Sequence, residues 1–197
     1  MPFRRLIVVA AAASLLAGCG INSVPTKEEA AKAKWADVQA AYQRRADLIP
    51  NLVETAKGAA QIEQSTLEGV IQARASATQV KLDAGELSDP AKVEAFRQAQ
   101  GNVSSALSRL LVTVEQYPQL QSQQRFADLM TQLEGTENRI TTAVGDYNRA
   151  VQDYNTTIRT FPDIIGAKVI HGAEPMKTFE AITPNANVAP KVDFGTK

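Results

Sequence analysis

Any chemistry in this chain has to come from a few polar residues set at helical spacing. Arg45 falls within the apolar series Trp35, Val38, Tyr42, Ile49, Leu52, and Glu137 falls within Phe126, Leu129, Leu133, Ile140, Val144. Both series step by threes and fours, the rhythm of one helix face. An ionised group on an inward face must be paired, or its burial costs several kcal/mol. Such pairs either fix helix register or build a ligand site, and the structural role is expected. Tyr147-Asn148 and Tyr154-Asn155 repeat at i, i+7, with both Tyr on one face and both Asn beside it. That strip suits a partner helix or a peptide; the expected arrangement has the rings in the core and each Asn hydrogen-bonded across the helices. Enzyme signatures are missing: the sequence has no HExxH, GxSxG, P-loop or GxGxxG. The single histidine, His171, and the single cysteine, Cys19, are a poor start for a transition-metal site or a Ser-His nucleophile. No role is expected for His171.

The elements that position these residues are punctuated by proline. Pro25, Pro50, Pro90, Pro118 and Pro162 leave Pro-free runs of 24, 39, 27 and 43 residues. Pro fits the first turn of a helix and breaks its interior, so each run can hold one helix. The first is expected from Thr26 as N-cap to about Leu48, and the second from Pro50 to about Leu82. Residues 83–87 read as a turn. Ser88 or Asp89 caps a third helix that ends near Gln116, and a fourth runs from about Gln119 to Thr160. Its seam is Ile140, Val144, Tyr147, Val151, Tyr154, Ile158 and Phe161. The apolar phase of the first helix continues across Pro50, so the alternatives are a hairpin there or one rod kinked at Pro50. A hairpin is expected, because a helix of about 55 residues would extend roughly 80 Å and outrun its partners. No segment alternates with period two long enough for a strand. The fold class is all-α, an antiparallel up-and-down four-helix bundle with long helices.

With a reversal at Pro50, Glu137 lies level with residues near 68 and 98. Arg74 and Arg97 are then nearer partners for Glu137 than Arg45 is, and Glu54 meets Arg109.

At the N-terminus, Arg4 and Arg5 precede an uncharged apolar run of 11 residues, Leu6 to Leu16. A membrane-spanning helix takes roughly 20, so the run has the length of a secretory signal peptide. Leu16-Ala17-Gly18-Cys19 resembles the lipobox of bacterial lipoproteins. The resemblance implies diacylglyceryl transfer to the Cys19 thiol, cleavage after Gly18 and acylation of the new amino terminus, an anchor of several acyl chains. The whole chain carries 21 basic and 21 acidic side chains. Removing residues 1–18 takes away two Arg, leaving a slightly acidic domain that is no partner for nucleic acid. Gly20 resembles an outer-membrane sorting context more than an inner-membrane retention signal.

Further strings are similar to the LemA family: Arg44-Arg45-Ala46-Asp47-Leu48-Ile49-Pro50-Asn51-Leu52-Val53, Ala106 to Leu111, Tyr117 to Leu120, Gly135 to Ile140, the doubled Tyr-Asn pairs and Phe161-Pro162. The likeness spans roughly residues 30–165. It implies a helical bundle outside the cytoplasm, tethered to a membrane, and it speaks to fold more than to function.

The expected organisation is a lipoprotein signal peptide (1–18), a spacer (19–25), the bundle (26–162), and a short helix with an irregular tail (163–197) from which Met176, Phe179 and Ile182 pack back. The expected protein is a non-enzymatic envelope lipoprotein whose bundle is an interaction or scaffold module, on the periplasmic side of the outer membrane if the cell is Gram-negative. Its partners are membrane lipid, through acylated Cys19, and an envelope protein; no cofactor or metal is expected. The alternative is a ligand-binding or accessory subunit of an envelope protease. The residues at issue are Arg44, Arg45, Asp47, Asn51, Glu54, Arg109, Glu137, Asn138, Arg139, Asn148 and Asn155. A concave pocket lined by Arg44, Arg45, Asn51, Glu54 and Arg109 would favour that alternative.

Overall fold

A computed structural model describes the backbone of residues 2–58 and 63–179, with side chains from Ile21 onward apart from Gln121. Among the described residues the chain is helical, with no strand. The helices are α1 (Pro2–Lys57), α2 (Gln64–Gln79), α3 (Pro90–Val114), α4 (Pro118–Gln121), α5 (Gln124–Thr157) and α6 (Asp163–Gly166). A 3-10 turn at Ala84–Glu86 precedes α3, and a wide π-type turn, Ala167–His171, continues α6.

The largest difference from expectation is α1. It passes through both Pro25 and Pro50, so the chain does not reverse at Pro50, and residues 19–25 are helix where a spacer was expected. Thr26 is no N-cap; its hydroxyl donates to the Asn22 carbonyl one turn back. A proline inside a helix lacks the N–H that would reach the carbonyl four residues earlier. That leaves the carbonyls of Ile21 and Ala46 without their usual donors. Both are met by side chains from distant parts of the chain. His171 Nε2 lies 2.9 Å from the Ile21 oxygen, and Arg74 Nε donates to the Ala46 oxygen at 2.7 Å. A backbone carbonyl is a strong acceptor that needs a partner, and these two contacts supply one at each proline of α1. The His171 contact also requires its proton on Nε2.

Other starts and stops are local. Asp89 accepts from the Ala91 and Lys92 amides, with Pro90 next to it. Asp83 and Glu86 form a reciprocal capping box. Gly172, at φ +56°, takes the left-handed conformation that ends the 167–171 turn. Beyond it residues 172–179 run without helix or turn. Residues 180–197, including Ile182, lie outside the described residues.

Named contacts give the directions of the helices. Trp35 meets Tyr147 and Arg45 meets Glu137, so α1 and α5 are antiparallel. Arg45 reaches Gln100 and Ser104 while Tyr42 meets Phe96, so α3 runs with α1. The body splits into two core clusters at the level of Arg45. On the side nearer Ile21 lie Trp35, Val38, Tyr42, Phe96, Val144, Tyr147, Val151, Tyr154 and Phe179. On the far side lie Ile49, Leu52, Val70, Val103, Leu107, Leu110, Leu129 and Leu133. The seam of α5 is buried as expected from Phe126 to Ile158, with two exceptions. Thr136 takes the inward position beside Glu137, and Phe161, past the end of the helix, is 73% exposed.

Candidate functional site

Arg45 is buried to 2% exposure at the junction of the two clusters. Its Nη2 donates to the Gln100 side-chain oxygen at 2.7 Å and the Gln100 carbonyl at 3.2 Å. Its Nη1 donates to Ser104 Oγ at 2.9 Å and to Glu137 Oε1 at 3.2 Å. The guanidinium also stands 4.9 Å from the centre of the Tyr42 ring. One cation thereby ties α1 to both α3 and α5. Burial pushes the Tyr42 hydroxyl up to about 12; the Glu137 charge adds to this and the Arg45 charge opposes it. The phenol therefore stays protonated at neutral pH.

This pairing corrects the expected ion pairs. Arg74 serves the Ala46 carbonyl, Arg97 Nε binds Glu94 at 2.6 Å, and Glu54 pairs with Lys57 at 2.9 Å on the surface. Glu54 and Arg109 form no pair; both are exposed. The error follows from the reversal assumed at Pro50. With α1 continuous and antiparallel to α5, residue 45 is the one level with residue 137.

The cluster expected around Arg45 also divides. Asp47 is exposed and accepts from Gln43, and Asn51 is exposed. Arg44, Asn138 and Arg139 line an open groove between α1 and α5, with Asp37 and Asp146 on its walls. A separate cavity of about 180 Å³ sits beside Arg45, lined by Gln39, Tyr42, Arg74, Lys81 and Gln100 among others. That volume is below the range of roughly 300–1,000 Å³ usual for small-molecule sites. Among the described residues the groove takes Arg44 and the cavity takes Arg45, and neither includes Asn51, Glu54 or Arg109. Among the described residues no group of three His, Cys, Asp or Glu side chains is placed to hold a metal. The Cys19 side chain lies outside the described residues.

The Tyr147 and Tyr154 rings lie in the core as expected, but Asn148 and Asn155 do not bond across the helices as expected; both hold the extended segment that follows Gly172. Asn148 donates to the Phe179 carbonyl and accepts from the Phe179 amide, both at 2.7 Å. Asn155 treats Met176 in the same way, at 2.8 and 2.9 Å. Beside them Tyr147 donates to the Lys177 carbonyl and Tyr154 to the Glu174 carbonyl. The spacing explains the match. One heptad of α-helix rises about 10.5 Å, and three extended residues, 176 to 179, cover roughly 10 Å. Each carboxamide replaces the backbone neighbour that a β-strand would have had. The strip does bind a peptide, and that peptide is this chain's own residues 174–179. Met176 and Phe179 point inward as expected, Phe179 within 6 Å of the Trp35 and Phe96 rings.

The residues sequence reasoning missed are Gln100 and Ser104, which hold Arg45, and the Trp35–Gln39 pair. Trp35 Nε1 and Gln39 Nε2 both donate to the Leu82 carbonyl at 2.9 Å. Trp35 is thus a core residue with a polar task.

The chain is similar to two proteins of Paramagnetospirillum magneticum named magnetosome protein MamQ 1 and MamQ 2, each 34% identical over 173 residues, 80% of this chain. It is also similar to magnetosome protein MamQ of Magnetospirillum gryphiswaldense, 30% identical over 157 residues, 72% of this chain. The matches span 63% and 58% of those relatives' lengths. The LemA family profile matches residues 34–194, which takes in α1 beyond its first half, the Arg45 junction and the Tyr-Asn strip. The chain belongs to the LemA family.

Proposed function

We propose that this protein is a membrane-anchored scaffold of the cell envelope, non-enzymatic, whose antiparallel helical bundle presents surfaces to a protein partner. The carrying observation is that its buried ion is spent inside the fold. Arg45 directs its donors to Gln100, Ser104 and Glu137, so the one cation buried among the described residues holds helices together. The partner-facing chemistry is then the open groove of Arg44, Asn138 and Arg139. Anchoring is by acylation of Cys19, with the bundle outside the cytoplasm, facing the periplasm from the outer membrane in a Gram-negative cell. The lipobox-like residues 16–19 and the apolar run before them support this. The relatives' names tie them to magnetosomes; their partners are not carried over.

The groove also favours a second reading, an accessory subunit that docks an envelope enzyme there. Crosslinking from intact membranes separates these readings. A photo-crosslinking side chain at Arg139 is expected to capture a discrete partner, and the same group at Arg109, on an exposed face away from the groove, is expected not to. Capture of a protease at Arg139 would favour the second reading, and equal capture at both positions would remove the groove from the proposal. Cys19→Ser is expected to leave an unprocessed, unacylated precursor; fatty-acid labelling of that variant would overturn the anchor.

A further inference from the structure

The end of the body where α1 enters carries an apolar patch that the fold leaves uncovered. Ile165 and Val169 lie four residues apart on α6 and its π-type turn, Phe161 sits in the turn just before α6, and the three are 56%, 78% and 73% exposed. Ile170 beside them is 56% exposed. Scattered exposed apolar side chains are ordinary, but four of them within ten residues of one short segment mark a candidate contact surface. Two bonds fix this cluster against α1: His171 to the Ile21 carbonyl, and Ser23 to Asp163. The partly exposed Ile21 extends the patch onto α1 itself.

We propose that this patch is a second membrane contact, inserted among the lipid headgroups beside the anchor. The inference rests on the anchoring read at Cys19 and deepens it. Ile21 follows Cys19 by two residues, about 3 Å of helix, so an acyl group on Cys19 puts the bilayer surface at this end of the body. Arg159 and Lys168 are exposed on the same segment. A short apolar face flanked by cations fits an interface with anionic lipid, where such a face sinks about 5–10 Å into the headgroup boundary. Lipid alone, even through several acyl chains, leaves the body free to swivel. A second contact fixes its tilt, and so fixes which way the groove of Arg44 and Arg139 faces.

The test uses the full acylated chain in vesicles of phosphatidylcholine and phosphatidylglycerol whose acyl chains are brominated to quench nearby tryptophan. Phe161→Trp and Val169→Trp place a reporter in the patch, and Val112→Trp places one on an exposed site of α3 in the far half. The native Trp35 is fully buried and supplies a constant background. The two patch reporters are expected to lose at least about twofold more emission than Val112→Trp, as insertion at this depth requires. Equal quenching at all three positions, with the protein still sedimenting with the vesicles, overturns the patch and leaves the anchor standing. Failure to sediment overturns both. A blue shift that grows with protein concentration and needs no lipid assigns the patch to a second copy of the chain, and also overturns the proposal.

Discussion

The two halves of the core, divided by Arg45, are closed by different means. In the far half, α1, α2, α3 and α5 all contribute, and the core is aliphatic apart from Phe126 and the partly buried Tyr117. In the near half α2 has already ended, and residues 80–89 and 172–179 take its place as a wall. A helix satisfies its own backbone; an irregular wall does not. The near half is therefore where long side chains with polar tips collect. Trp35, Gln39, Tyr147, Asn148, Tyr154 and Asn155 each present an apolar body or stem to the core and a donor or acceptor to a wall carbonyl or amide. One more bond, from the Lys177 amide to the Leu87 carbonyl, joins the two wall segments. The lesson is that the polar residues of this fold mark where its backbone needs partners. Arg74 and His171 extend the rule to the carbonyls that Pro50 and Pro25 leave unmet.

The largest expected effect tests whether the two halves form one cooperative unit. Val151→Asp buries an unpaired carboxylate at a fully enclosed site in the near half. It should cost about 4 kcal/mol or more and remove amide-exchange protection from α3 in the far half as well. Protection that survives there would make the halves independent.

A smaller and local effect is expected from the wall. Asn155→Ala removes both bonds to Met176 and should cost about 1–3 kcal/mol. Exchange at the Met176 and Phe179 amides should rise well before exchange in α1 or α5 does. A uniform rise would mean that the strap is no separate unit.

The near half should also be the alkali-sensitive one. Burial raises the hydroxyl pKa of Tyr42 to about 12 and also raises those of Tyr147 and Tyr154. An unfolded tyrosine ionises near 10, so above that pH the unfolded chain gives up its protons first. The stability contributed is whole below about pH 10 and falls as pH climbs through the folded values. The melting midpoint, followed with tyrosinate absorbance, should drop from about pH 10 upward, and a flat profile would count against buried hydroxyls. The smallest effect belongs to the surface: Glu54→Gln breaks an exposed pair with Lys57 and should change stability by under about 0.5 kcal/mol.

Much of this fold is legible in the sequence, because helix faces and caps are local signals. The α5 seam, the α1 series through Arg45, the Asp83 turn and the Asp89-Pro90 start all lie where spacing and capping put them. The misplaced features each depend on a partner far along the chain. Pro50 reads as a break until Arg74 supplies the missing donor, and that single misreading shifts every inter-helix level, including the partner of Arg45. The Tyr-Asn heptad is visible, but an extended segment such as 174–179 carries no period to announce itself. Phe161 continues the seam in spacing, yet α5 ends at Thr157 and turns it outward.

The central claim, that side chains here stand in for missing backbone partners, is tested most directly by a double-mutant cycle between Pro50 and Arg74. With Pro50 present, Arg74→Leu should cost about 1–2 kcal/mol, because the Ala46 carbonyl loses its donor. In a Pro50→Ala background the restored amide of residue 50 reaches that carbonyl, and Arg74→Leu should then cost under about 0.5 kcal/mol. A coupling of about 1 kcal/mol is the predicted result. Strict additivity, with Arg74→Leu equally costly in both backgrounds, would contradict the account.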